Sequence, residues 1–193
     1  MSAHKHITHA GTEHAAATLV PEVGAHDHAQ GSAEATVTLV EYGDYQCAHC
    51  GRAFPLVQKL QKRLGERLRF VFRNFPLNEA HPEALHAAEA AESVAVHSGE
   101  EAFWAMHDAI YTHQQDSEYA LDDKHLMKYA ADVGADPTTI GSDLEKEVHQ
   151  KRVKADFMSG VRSGVNGTPT FFINGVRFDG NWSDIDAFEA ALS

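Results

Sequence analysis

The chain has 193 residues, enough for one domain with a sizeable core, and its 43% hydrophobic and 23% charged residues are those of an ordinary globular protein. A net charge of −12 argues against nucleic acid or an anionic membrane surface as the main partner. No run approaches the roughly 18 apolar residues of a membrane span, so no membrane segment is expected.

Residues 1–30 read as a His-rich, flexible tail. They hold His4, His6, His9, His14, His26 and His28 with little apolar periodicity. Weak metal binding is the second reading of such a tract. Within it, Thr18-Leu19-Val20 is a candidate edge strand, since Pro21 excludes a central one. No apolar stretch follows a basic start, so a cytoplasmic location is expected, or a periplasmic one if a leader was removed.

The globular part is expected from Gly31, as one domain over 31–193. Residues 36–42, Thr-Val-Thr-Leu-Val-Glu-Tyr, read as a buried strand. Gly43-Asp44 turns the chain into a helix over 48–64, where Phe54, Val57, Leu60 and Leu64 recur at helical spacing. Gly65 ends it, and Pro55 inside it predicts a kink. A second strand follows at 68–72. Helices are then expected over 82–97 and 100–112, the second with Phe103, Trp104 and Tyr111 as core. Asp122 and Gly134 mark the start and stop of another, and Asp136-Pro137 repeats the start signal. A further helix is expected over 142–161, with Leu144, Val148, Ala155 and Met158 on one side. Residues 170–173 read as a strand, Asn174-Gly175 as a two-residue hairpin turn, 176–178 as the returning strand, and Ser183 as the cap of a last helix. The order is β-α-β, several helices, then β-β-α.

Only two cysteines are present, Cys47 and Cys50 in Cys47-Ala48-His49-Cys50. That pair reads as redox or metal chemistry rather than a structural staple. Cys47 falls at a helix N-terminus, where free N–H groups and the macrodipole favour a thiolate, and His49 can add a charge or a donor. A stable thiolate gains little as a nucleophile but much as a leaving group, which biases the pair toward an oxidising disulfide. Two further signals are weaker. In Gly167-Thr168-Pro169-Thr170 the proline before a strand is a candidate cis peptide, an ordinary trans proline being the alternative. Glu41 stands in an otherwise apolar strand; it is either a buried proton relay for Cys50 or a solvent-facing side chain.

The segment Val37-Thr38-Leu39-Val40-Glu41-Tyr42-Gly43-Asp44-Tyr45-Gln46-Cys47-Ala48-His49-Cys50, with Gly167-Thr168-Pro169-Thr170-Phe171-Phe172-Ile173-Asn174-Gly175 much later, resembles the DsbA-like branch of the thioredoxin superfamily. The resemblance spans residue 28 to the C-terminus. It implies an α/β thioredoxin fold (βαβ…ββα) with an all-helical insertion between the halves, near 77–162. It also implies Cys47 as the exposed nucleophile, Cys50 as the resolving thiol, Thr168-Pro169 as the cis-proline loop that meets substrate, Glu41 as the buried acid, and Pro55 as the helix-kinking proline. The partners it implies are protein or peptide thiols and disulfides, with glutathione or a thioredoxin-type protein as electron partner, and no cofactor. Ala48 replaces the proline, and Thr168 the valine, that DsbA carries at these redox-tuning positions, so the direction of exchange stays open between oxidase and reductase or isomerase.

Three alternatives stand beside this reading. Zinc could be held by Cys47, His49 and Cys50 with a tail histidine, but no second ligand pair lies at suitable spacing. A kappa-type glutathione-dependent transferase or isomerase needs one activated Ser or Cys rather than a vicinal pair. An idle thioredoxin-like interaction module would not need both cysteines and His49. The remaining histidines, His81, His86, His97, His107, His113, His125 and His149, show no repeated ligand spacing and are read as surface or packing residues.

Overall fold

A computed structural model describes residues 16–193; His4, His6, His9 and His14 of the expected tail lie outside the described residues. In chain order the elements are β1 (His28–Gln30), β2 (Val37–Gly43), α1 (Ala48–Leu64), a 3-10 turn (Gly65–Arg67) and β3 (Leu68–Asn74). Then come α2 (Ala84–Ser98), α3 (Glu100–His113), α4 (Asp123–Asp132), α5 (Pro137–Glu145) and α6 (Gln150–Arg162). The chain ends with β4 (Thr170–Ile173), β5 (Val176–Phe178) and α7 (Ile185–Ala191). This is the thioredoxin fold with an all-helical insertion, α2–α6, between its βαβ and ββα halves.

The sheet runs β1-β3-β2-β4-β5. β2 and β3 are parallel, joined by the crossover helix α1, and the other pairs are antiparallel. Side chains alternate across the sheet. Leu39, Phe70, Phe72 and Phe171 point to one side and pack with Val57 and Leu60 of α1, Phe103, Trp104 and Ile110 of α3, and Phe188 of α7. Val40, Tyr42, Val71 and Phe172 point to the other, where Phe75 and Phe157 of α6 cover them. Glu41 has the parity of Leu39 and pairs in register with Phe72 and Phe171. The pleat therefore turns its carboxylate toward α1, into apolar surroundings. The hairpin between β4 and β5 turns on Asn174 (φ 49°) and Gly175 (φ 81°), the two left-handed residues that such a turn requires.

Three sequence expectations are corrected. The ordered chain begins before Gly31: β1 pairs with β3, Thr18 bridges to Val176, and Leu19 and His28 are buried. The cause is charge as well as apolar contact. Buried Arg73 on β3 needs a counter-ion, and Asp27 supplies both carboxylate oxygens, at 2.7 and 3.0 Å. The single helix expected over 142–161 is two, α5 and α6, broken around Glu147, which takes a left-handed φ of 52°. As a result Val148, Ala155 and Met158 face solvent, while Val153, Asp156 and Ser159 face inward. The cap of α7 is Asp184, which accepts from the N–H groups of Asp186 and Ala187, rather than Ser183. The other caps fall at the residues predicted: Asp122 accepts from His125 N–H, and Asp136 from Thr138 and Thr139.

Candidate active site

Cys47 is the N-cap of α1, in extended conformation, and no side chain caps that helix end. The first N–H groups of α1 therefore remain free to face its sulfur. Cys50 lies one turn further, fully buried, on the face that meets the sheet. Cys47 is covered as well, at 5% exposure, so it is less open than an exposed nucleophile would be. The covering group is the loop before β4. The Thr168–Pro169 peptide bond is cis, and the Cys47 thiol donates to the Thr168 carbonyl at 3.5 Å.

The two sulfurs have opposite electrostatics. The Cys47 thiol is lowered from 9.0 to about 5, chiefly by the hydrogen bond from the Cys50 thiol, against the cost of burial; the Thr168 side chain and the backbone N–H groups of Cys50 and His49 add to the lowering. Burial pushes the Cys50 thiol well up, and its bond to Cys47 and the charge of Glu41 push the same way. Glu41 is 2% exposed, and its Oε1 has no hydrogen-bond partner among the described residues. Burial first, then the Cys47 charge, raises its carboxyl to about 8. His49 acts on Cys47 through its backbone; its imidazole is exposed and accepts from Arg52 at Nδ1, 2.7 Å.

Two residues that sequence reasoning missed hold this arrangement in place. Asp44 is buried. Its Oδ1 accepts from the backbone N–H groups of Gln46 (2.7 Å) and Cys47 (3.1 Å). Its Oδ2 accepts from Leu77 N–H and meets His81 Nδ1, both at 2.8 Å. One carboxylate thus ties the loop before Cys47 to the start of the helical insertion. An aspartate three residues before a helix-opening cysteine is a readable turn signal, but its partners at 77 and 81 are not. Gln114, at the end of α3, donates to the carbonyls of Tyr45 (2.7 Å) and Cys47 (2.9 Å). No local pattern announces it. Behind α1, Tyr45 and His107 meet at 3.0 Å within an aromatic cluster with Phe72 and Tyr111, and burial lowers the His107 imidazole to about 3, so it stays neutral.

Among the described residues, Cys47, His49 and Cys50 do not bring three ligand atoms together. The arrangement is instead that of a dithiol with one ionised and one protonated sulfur.

A family profile described as thioredoxin matches residues 24–193. The chain belongs to the thioredoxin family. Among solved structures it is similar to oxidised BdbD from Bacillus subtilis, 25% identical, covering 92% of this chain and 96% of that one with a TM-score of 0.82. The DsbA-like fold recurs in alpha-DsbA1 from Wolbachia pipientis, 19% identical over 88% of this chain and 90% of that one, TM-score 0.73. It recurs also in MdbA, a thiol-disulfide oxidoreductase from Corynebacterium diphtheriae, 15% identical over 94% and 95%, TM-score 0.69. Among curated proteins it is similar to the Na(+)/H(+) antiporter NhaA 1 of Salinispora arenicola, 38% identical over 175 residues, which are 91% of this chain and 26% of the antiporter. NhaA of Herminiimonas arsenicoxydans is 38% identical over 84% of this chain and 24% of its own length. The chain thus spans about a quarter of the length of the antiporters it matches, and among its described residues no helix is long and apolar enough to cross a membrane. The thioredoxin-family, DsbA-like fold supports thiol–disulfide oxidoreductase as the class of reaction.

Proposed function

We propose that this thioredoxin-family chain exchanges disulfides with protein or peptide substrates through a mixed disulfide at Cys47, and that its pair is biased toward oxidation. In the reducing direction the Cys47 thiolate attacks one sulfur of a substrate disulfide. A Cys47–substrate bond forms, the substrate S–S bond breaks, and the first substrate thiolate leaves and takes up a proton. In the mixed disulfide the Cys47 charge that helps to raise the Glu41 carboxyl is gone; Glu41 releases its proton to solvent, takes the proton of Cys50, and Cys50 attacks the Cys47 sulfur. The Cys47–Cys50 disulfide forms as the second substrate thiol departs: the substrate is reduced and the pair oxidised. The oxidase direction runs these steps backwards, with Cys47 as leaving group.

The observation that carries the reading is the placement of the Cys47 sulfur at an uncapped helix N-terminus, against the carbonyl of Thr168 and the thiol of Cys50. Thr168 and Pro169 are the residues that meet an extended substrate beside that sulfur. Next to the Asp44-anchored segment, an apolar groove of about 720 Å³ lined by Leu77, Leu85, Val153 and Phe157 offers room for a peptide chain. A glutathione pool or a thioredoxin-type protein resets the pair. A strongly oxidising pair in the cytoplasm would stay reduced and work as reductase or isomerase; in an oxidising compartment the same pair works as oxidase.

Two measurements test this. Cys47→Ser abolishes both insulin reduction and oxidation of a dithiol peptide, and Cys50→Ser traps the mixed disulfide at Cys47; full activity of Cys47→Ser refutes the assignment. Equilibration with glutathione buffers gives the direction: a potential nearer −120 mV than −270 mV supports the oxidising bias, and one at or below −270 mV refutes it, these being about the values of DsbA and thioredoxin.

A further inference from the structure

Far from the two thiols in sequence, three side chains of the helical insertion converge on one point. His97 stands in the last turn of α2, Asp143 on α5, and His149 caps α6. Both imidazoles aim Nε2 at the same atom, Asp143 Oδ2, at 2.9 and 3.0 Å. The Ser93 hydroxyl donates to that oxygen at 2.7 Å. One ligand atom from each of His97, Asp143 and His149 lies within 4.8 Å of the other two. Thiol exchange uses none of these groups. Spacing alone gives both histidines as surface or packing residues, because they belong to different helices with no motif between them. What unites them is the turn between α5 and α6, where Glu147 accepts a left-handed backbone and returns the chain so that His149 faces Asp143.

Two imidazoles and one carboxylate are the donor set of a borderline divalent cation, not of calcium or magnesium, which favour oxygen throughout. Bonds of about 2.0–2.2 Å to tetrahedral zinc require ligand atoms about 3.3 Å apart. The N···O separations of 2.9 and 3.0 Å need to open by only a few tenths of an ångström. The two rings are nearly perpendicular, at 85°, so both lone pairs can point at one centre without stacking.

We propose that His97, Asp143 and His149 form a three-ligand site for a zinc-type divalent cation that ties α2, α5 and α6 together and leaves a fourth position for water. Each histidine binds through Nε2 with its proton on Nδ1, and Ser93 orients the carboxylate as an outer partner.

The test uses the full chain with Cys47 and Cys50 joined as a disulfide, so that neither thiol competes, and with His4, His6, His9 and His14 replaced by Gln. Zinc is titrated by calorimetry, and cobalt by its visible spectrum. One equivalent should bind, cobalt should give tetrahedral d–d bands, and the thermal midpoint should rise with zinc. His97→Gln is the decisive variant, because that side chain is 42% exposed and its loss leaves the fold intact. It should weaken zinc by more than the roughly 10- to 100-fold expected for losing an outer partner, and should remove the cobalt bands and the thermal shift. Ser93→Ala should weaken zinc within that smaller range. No stoichiometric uptake by the parent, or unchanged affinity in His97→Gln, overturns the proposal.

Discussion

The thiol of Cys47 provides the sharpest quantitative test. Its lowering from 9.0 to about 5 means that at pH 7 about 99% of it is thiolate, where an unperturbed thiol would be about 1% ionised. The reduced pair is thereby stabilised at pH 7 by about 2.7 kcal/mol, two powers of ten at about 1.36 kcal/mol each. For a two-electron couple that raises the potential by about 60 mV. The Cys50 thiol, pushed above its ordinary value, is protonated at pH 7 either way and changes nothing there. The sign follows from the depressed value. The contribution is full above the unfolded thiol's pKa and is lost as pH falls through 5, so the advantage of the reduced form grows from pH 5 toward 9. The assay is thiolate absorbance at 240 nm and iodoacetamide alkylation across pH 3–9, followed by potentials in glutathione buffers of different pH. Alkylation should show a midpoint near 5. The potential should fall by about 59 mV per pH unit below it, where reduction takes up two protons, and by about 30 mV per unit just above it, where reduction takes up one. A midpoint above 7, or a 59 mV slope running unbroken from pH 4 to 7, refutes the account of the Cys47 environment.

Three other outcomes follow from the same geometry. The carboxyl of Glu41 is raised from 4.5 to about 8, so the native reduced protein keeps a proton that the unfolded chain has released, and stability is lost as pH rises through that window. Glu41→Gln should therefore stabilise the reduced protein by up to about 3 kcal/mol at pH 7 and hardly at all at pH 4 in denaturant titrations, while slowing resolution of the mixed disulfide. Asp44→Ala removes the acceptor of three backbone N–H groups and the partner of His81. It should cost roughly 3 kcal/mol, on the order of 10 °C in Tm, with the alkylation midpoint of Cys47 moving as its loop loosens; calorimetry and alkylation on one sample check both. The Thr168 side chain helps to hold the Cys47 thiol down. Thr168→Val should therefore move the alkylation midpoint of Cys47 upward, with little change of stability in denaturant titrations.

Local chemistry made much of the fold legible. The β-branched runs that became β2 and β4, Asn174-Gly175, Gly65, Asp122 and Asp136 each carry their signal within a few residues, and each took the structure expected of it. What failed depends on partners distant in sequence. Nothing near Asp27 shows that Arg73, 46 residues away, is buried and needs its carboxylate, so the ordered chain was expected to start too late. No glycine or proline marks the break at Glu147, so two helices read as one. At the site, a spacing of three places Cys47 and Cys50 on one side at the start of α1, and strand parity explains why Glu41 is buried rather than solvent-facing. Gln114 was invisible, being 67 residues from the Cys47 carbonyl that it satisfies.

That distance bears on what the helical insertion is for. Besides the lowering of Cys47, the loop carrying it has two structural needs: its turn must hold the sulfur at the helix end, and its buried carbonyls need donors. The insertion supplies both, through the hold of Asp44 on Leu77 and His81 and through the two hydrogen bonds of Gln114. The fit is close enough to restrict α1 itself: a Cβ at Gly51 would lie 2.0 Å from Gln114 Oε1, so the residue after Cys50 stays small for this glutamine to reach its carbonyls. A shift of α3 against the sheet would therefore disturb the helix end that stabilises the Cys47 thiolate before it touched either sulfur. The loop before α2 thus has two roles: with α2 and α6 it lines the apolar groove, and with the end of α3 it sets the geometry on which the Cys47 thiolate depends.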